Sequence, residues 1–112
     1  MRKAGWLAVA LLALPLVASA ETFKDVPVVD VNCSKKVMDT VDTHTRACAL
    51  KCADSGFGIV TSDKKFLKFD AEGNKQVEAA LKASDKKDHL RVDVEGDVKG
   101  DTIMVTSVKL IE

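Results

Sequence analysis

The sequence predicts a mainly β domain of the α+β class, a small five-stranded barrel carrying two helices. Three observations predict it. Leu90, Val92 and Val94 alternate with Arg91, Asp93 and Glu95, the two-residue period of a half-buried strand. Turn-forming clusters, such as Asp70-Ala71-Glu72-Gly73-Asn74 and the two-glycine stretch from Gly96 to Asp101, separate short β-branched runs. Only His44 to Ser55 and Lys75 to Ser84 carry apolar or cysteine residues at helical spacing.

The first twenty residues stand apart from that pattern. Arg2 and Lys3 precede an apolar run from Trp6 to Val17, broken only by Pro15, and Ala18-Ser19-Ala20 follows. These are the charged, apolar and cleavage regions of a secretory signal peptide. Residues 1–20 are therefore expected to be removed, leaving residues 21–112 as a single domain. The apolar run is short for a membrane span, so no membrane insertion is expected after cleavage. The expected address is outside the cytoplasm, periplasmic or extracellular.

Removing 20 of the 112 residues leaves 92, enough for one modest core. Loss of Arg2 and Lys3 leaves 15 basic against 17 acidic side chains, a net charge of about −2. Such a balance provides no field that would steer the chain to nucleic acid or anionic lipid. There is no Tyr, and the single Trp departs with the leader. Four phenylalanines are few for a surface that stacks bases or sugars.

Along the mature chain, Glu21 to Cys33 reads as a lead-in and a first strand. Val26, Val28, Val29 and Val31 favour β structure, and Pro27 places its start at an edge or a bulge. Ser34 to Thr43 reads as a polar surface connection with at most a helical turn. His44 to Ser55 is expected to be helical, with Thr43 or Thr45 as its cap and Gly56 as the residue that ends it at positive φ. Phe57 to Thr61 and Lys65 to Phe69 are two strands joined by a hairpin loop that lacks glycine. Lys75 to Ser84 is a second helix, with Asn74 as its expected cap. His89 to Glu95 and Thr102 to Leu110 are the last two strands. In the latter, the step from Val105 to Val108 breaks the alternation and implies a bulge at Thr106 and Ser107. With the cysteine-bearing helix set aside, the order matches an OB-like five-stranded Greek-key barrel, with one helix between strands 1 and 2 and one between strands 3 and 4. An open antiparallel sheet with both helices on one face is the alternative.

The motifs His44-x3-Cys48-x3-Cys52-x2-Ser55-Gly56-Phe57-Gly58-x-Val60, Asp63-Lys64-Lys65-Phe66 and Phe69-Asp70-x2-Gly73-Asn74 cover much of the mature chain. To them add Asp30-Val31-Asn32-Cys33 and the run from Val94 to Ile103 with its glycines at 96 and 100. Together they resemble a group of small, uncharacterised secreted bacterial proteins with a His/Cys helix followed by an OB-like β domain. That resemblance implies a fold and no particular activity. Many of those proteins carry Gly and His just after the first cysteine, where this chain has Ser34, Lys35, Lys36 and Val37.

The cysteines carry the only chemistry that stands out. In an oxidising compartment three cysteines suggest one disulfide and a leftover thiol, or a metal site. The disulfide candidates are Cys33, Cys48 and Cys52, with Cys33 pairing to one of the other two. Closing the loop from Cys33 to Cys48 is worth ~3 kcal/mol in the chain-entropy model. A bridge from Cys48 to Cys52 within one helix is close to the limit of relaxed disulfide geometry. The alternative is zinc or copper held by Cys33, His44, Cys48 and Cys52, a Cys3His donor set. Successive i, i+4 ligands drift about 40° around an ideal helix, so His44 and Cys52 do not aim at one ion without adjustment. The C-x3-C spacing is not the C-x2-C of thioredoxin-like enzymes. A cysteine hydrolase lacks an orienting partner for its histidine. The expectation is thus a monomeric, non-enzymatic binding or structural module without a cofactor, its partner a protein or small ligand of unknown identity.

Overall fold

Residues 20–112 are described by the structure, a computed structural model. The expected signal peptide lies outside the described residues except for Ala20, the first residue of strand β1. No helix among the described residues is long and apolar enough to cross a membrane.

Five strands close into a barrel in the order β1-β2-β3-β5-β4. They are β1 (Ala20–Asp30), β2 (Phe57–Val60), β3 (Phe66–Phe69), β4 (Arg91–Lys99) and β5 (Thr102–Leu110). Helix α1 (Arg46–Lys51) lies in the connection from β1 to β2, and helix α2 (Ala71–Ala83) joins β3 to β4. All neighbouring strands are antiparallel except β3 and β5, which run parallel. This is the expected OB-like barrel, and the open-sheet alternative is set aside. Closure gives every strand two neighbours and leaves no continuous sheet edge exposed.

The core follows the alternation read in the sequence. Val92 and Val94 point inward from β4 and are buried, whereas Arg91 and Asp93 are half-buried and Glu95 is exposed. Helix α2 adds Gly73, Val77 and Leu81, residues four apart that form one face. Gly73 lets that face sit close to the sheet, because a Cβ there would lie 2.5 Å from Val105 Cγ2. Val28, Phe57, Ile59, Phe69, Leu90 and Ile103 complete the centre.

Strand irregularities fall where local chemistry asks for them. In the β4–β5 ladder Glu95 opposes Ser107 and Gly96 opposes Val105, so Thr106 is the extra residue of the expected bulge. A second bulge lies in β1 between Phe23 and Val26, where Asp25 adopts φ 53°. The Asp25 N–H donates to the Asp93 carboxylate at 2.8 Å, which satisfies a backbone group the bulge removes from the ladder. The β2–β3 loop, lacking glycine, obtains its left-handed residue from Lys64 at φ 66°.

Two elements differ from the sequence reading. Helix α2 starts four residues earlier than Lys75, because Asp70 rather than Asn74 caps it by accepting from the Gly73 N–H at 3.0 Å. Asn74 is instead drawn to the strand, where its Oδ1 accepts from the Phe57 N–H at 2.8 Å. The segment expected to be one helix from His44 to Ser55 starts extended at His44 and holds two short pieces, helix α1 and a 3-10 turn at Ala53–Ser55, with a separate 3-10 turn at Val41–Thr43 just before it.

Candidate functional site

The end of β1 builds the site. Asp30 is its last residue and pairs with Phe57 of β2. The chain then turns through Val31–Cys33, and Asp30 caps this turn by accepting from the Cys33 N–H at 3.0 Å. The Val31 N–H donates to the Gly56 carbonyl at 2.8 Å, and the Asn32 N–H to Ser55 Oγ at 3.0 Å. Ser55 Oγ in turn donates to the Cys52 carbonyl at 2.8 Å. These bonds lay the turn after β1 against the segment that precedes β2, and so bring Cys33 beside Cys52.

Helix α1 decides which cysteines take part. Thr45 is its cap and accepts from the Cys48 N–H at 3.1 Å, so the helix starts after His44 and not before it. Arg46 anchors it: the Arg46 N–H donates to the Lys87 carbonyl at 2.8 Å and Nε to the Lys86 carbonyl at 3.1 Å. Ala49 turns into the core with no exposed area, and Cys48 is left exposed to solvent. Cys52 ends the helix half-buried.

His44 follows the 3-10 turn in extended conformation, with φ −71° and ψ 128°. Its ring is thrown inward and is only 8% exposed. Nε2 lies 2.7 Å from Asp30 Oδ1, and Asp30 is completely buried. An ionised carboxylate can only accept, so the imidazole donates. Asp30 thus receives the His44 ring on one oxygen and the Cys33 backbone on the other.

One carboxylate oxygen of Asp30 and the sulfurs of Cys33 and Cys52 all lie within 4.8 Å of one another. No other group of three such donors is that close among the described residues. The three cysteines are free thiols. Burial first, and then the neighbouring Asp30 carboxylate and Cys52, together push the Cys33 thiol up to about 11. A nucleophilic or redox-catalytic cysteine needs the opposite shift from the one Cys33 shows.

The four residues Cys33, His44, Cys48 and Cys52 do not come together as one donor set. Cys33 and Cys52 meet, His44 reaches the pair only through Asp30, and Cys48 faces solvent. Helical i, i+4 spacing put His44, Cys48 and Cys52 in line on paper. The helix is only six residues long, and His44 lies outside it.

Sequence reasoning placed Asp30 in the Asp30-Val31-Asn32-Cys33 motif but did not count it among the candidate site residues. Its signal was its position three before Cys33, the spacing at which an Asp side chain caps a following turn. Arg91 and Asp42 were missed as well. Arg91 Nε and Nη2 donate to Asp42 Oδ1 and Oδ2 at 3.1 and 2.9 Å, and Nη1 donates to the Asp25 carbonyl at 2.8 Å. Asp42 sits in the turn just ahead of His44, so this clamp holds the His44 segment to the barrel wall. The Arg91 hydrogen bonds keep the Asp42 carboxyl below the usual carboxylate range.

On the other side of the same connection an open groove of about 1240 Å³ runs along β1. Its walls include Phe23, Val26, Met38, Val41, Leu67 and Val98. Four basic and five acidic side chains line it, so it has no net positive track for a phosphate backbone. Comparison of the chain with protein-family models, with curated proteins and with solved structures finds no match.

Proposed function

We propose that the chain is an exported, non-enzymatic binding module whose barrel is stapled by a disulfide between Cys33 and Cys52. The observation that carries this reading is the approach of those two sulfurs across the base of the β1–β2 connection. Forming the bond joins the two sulfurs and releases two protons and two electrons. The electrons pass to a disulfide oxidant of the export compartment. Cys48, exposed on helix α1, stays a free thiol.

The staple locks the connection that also forms one wall of the groove, through Met38, Val41 and their neighbours. That wall is also held by the Arg91–Asp42 clamp, the Lys64–Asp39 ion pair, the His44–Asp30 pair and a few backbone bonds. A preordered wall lowers the ordering cost of binding, which is the advantage such a cross-link offers a binding module. The groove is open and mixed in charge, which suits a protein segment or a small polar ligand better than a nucleic acid.

Peptide mapping of the exported protein under non-reducing conditions tests the reading. A Cys33–Cys52 linked peptide with Cys48 alkylated is the expected result. Three alkylated cysteines, or a bridge through Cys48, would overturn it.

A further inference from the structure

The corner that holds the two sulfurs also holds a buried carboxylate, and a disulfide makes no use of it. Asp30 is fully buried, aimed at the thiols, and oriented on both oxygens. We propose that the dithiol form of this corner is a Zn(II) site with Asp30, Cys33 and Cys52 as ligands. This goes beyond the staple and does not depend on it, because it concerns the reduced chain.

Distance supports it first. Zinc–sulfur bonds of about 2.3 Å and zinc–oxygen bonds of about 2.0–2.2 Å set tetrahedral ligand atoms roughly 3.5–3.8 Å apart. The three donor atoms are already within 4.8 Å of one another. Each needs to move inward by about an ångström or less, which side-chain rotation supplies.

The surroundings support it second. A metal-binding side chain works best when outer partners fix its direction. The His44 ring at 2.7 Å and the Cys33 N–H at 3.0 Å fix Asp30. Asn32 Nδ2 donates to Cys52 Sγ at 3.5 Å, a bond that stabilises charge on that sulfur when it is a thiolate. His44 is therefore a positioning residue and not a ligand, and Cys48 lies outside the site.

Donor chemistry selects the ion. Two thiolates and one carboxylate oxygen suit zinc, which accepts sulfur and oxygen together, better than Cu(I), which favours sulfur alone. Binding displaces two thiol protons and leaves every oxidation state unchanged. Three protein ligands leave one position for water or an outside donor. Cys33 and Cys52 are both half-buried, so the corner is not sealed from solvent. Zinc and the disulfide compete for the same sulfurs, and the redox state of the chain selects between them.

The test uses the full chain, reduced and kept free of oxygen, titrated with Co(II) and then with Zn(II). One cobalt per chain is expected, with a sulfur-to-cobalt absorption of two thiolates that zinc abolishes. Cys48→Ser should leave the titration unchanged, and Cys33→Ser or Cys52→Ser should remove it. His44→Gln should weaken binding ~10–100-fold, as loss of an outer partner does. Asp30→Asn should lose the metal yet still form the Cys33–Cys52 disulfide on oxidation, which separates this proposal from the staple. Should Asp30→Asn fail to fold, Cys52→Ser, altered at a half-buried position, decides the matter. A folded, reduced chain that binds neither ion would overturn the assignment. So would absorption that survives Cys33→Ser or Cys52→Ser, or Cu(I) binding that zinc cannot compete with and Asp30→Asn does not affect.

Discussion

Reducing the Cys33–Cys52 bridge is the perturbation whose size follows most directly from the structure. The bridge closes a loop of about 20 residues, and the chain-entropy relation then gives a loss of about 3 kcal/mol on reduction. The stabilisation acts on the unfolded chain, because in the folded state Asp30 already pairs with Phe57 at the base of the same loop. For a domain of this size about 3 kcal/mol corresponds to roughly 12–24 °C in Tm. The clean comparison is urea unfolding of the Cys48→Ser variant, oxidised against reduced, which removes shuffling through the exposed thiol. The midpoint should fall on reduction by about 3 kcal/mol divided by the slope of the urea transition. Identical midpoints in the two states would refute the reasoning. So would a redox-dependent shift that persists when Cys52 is also replaced by Ser.

Three further outcomes are expected. His44→Ala leaves the fully buried Asp30 carboxylate without its ring partner and should cost about 3–5 kcal/mol in urea unfolding, with His44→Gln recovering part of it because an amide can still donate. Gly73→Ala should destabilise by about 1–3 kcal/mol despite alanine's better helix propensity, because the new methyl meets Val105 Cγ2 at 2.5 Å and Phe69 Cβ at 2.9 Å; a neutral or stabilising effect would mean that α2 packs less closely than described. The Asp42 carboxyl is held low by the Arg91 hydrogen bonds, so the unfolded chain binds its proton first as pH falls. Its contribution is complete above the ordinary value of 3.8 and is lost as pH falls from there through the lowered pKa. Because both side chains are about one-third exposed, the effect is less than about 1 kcal/mol, and Asp42→Asn should flatten that part of the acid limb in a pH series of melts.

Much of the barrel was legible because its signals are local. The alternation of Leu90, Val92 and Val94 needs only the two-residue period of a strand, and the slip at Thr106 shows as a break in that period. Gly56 was recognisable as a helix-ending residue, and it adopts φ 89° after the 3-10 turn. The cysteine segment was harder to read. Thr45 competes with Thr43 to begin the helix, and one residue's choice of cap moves His44 from a helix face into the barrel wall.

The amino-acid sequence determined, by itself, the strand and helix order, the inward faces and the presence of three thiols near one histidine. Periodicity and turn chemistry are properties of neighbouring residues, so they can be read along the chain. Only the tertiary structure decided which sulfur faces which, and that Asp30 stands between them and His44. That choice depends on pairing β1 with β2, whose partner residues are 27 to 31 positions apart, and on seating Ala49 in the core. No local pattern encodes the direction in which a side chain points once such distant segments are brought together.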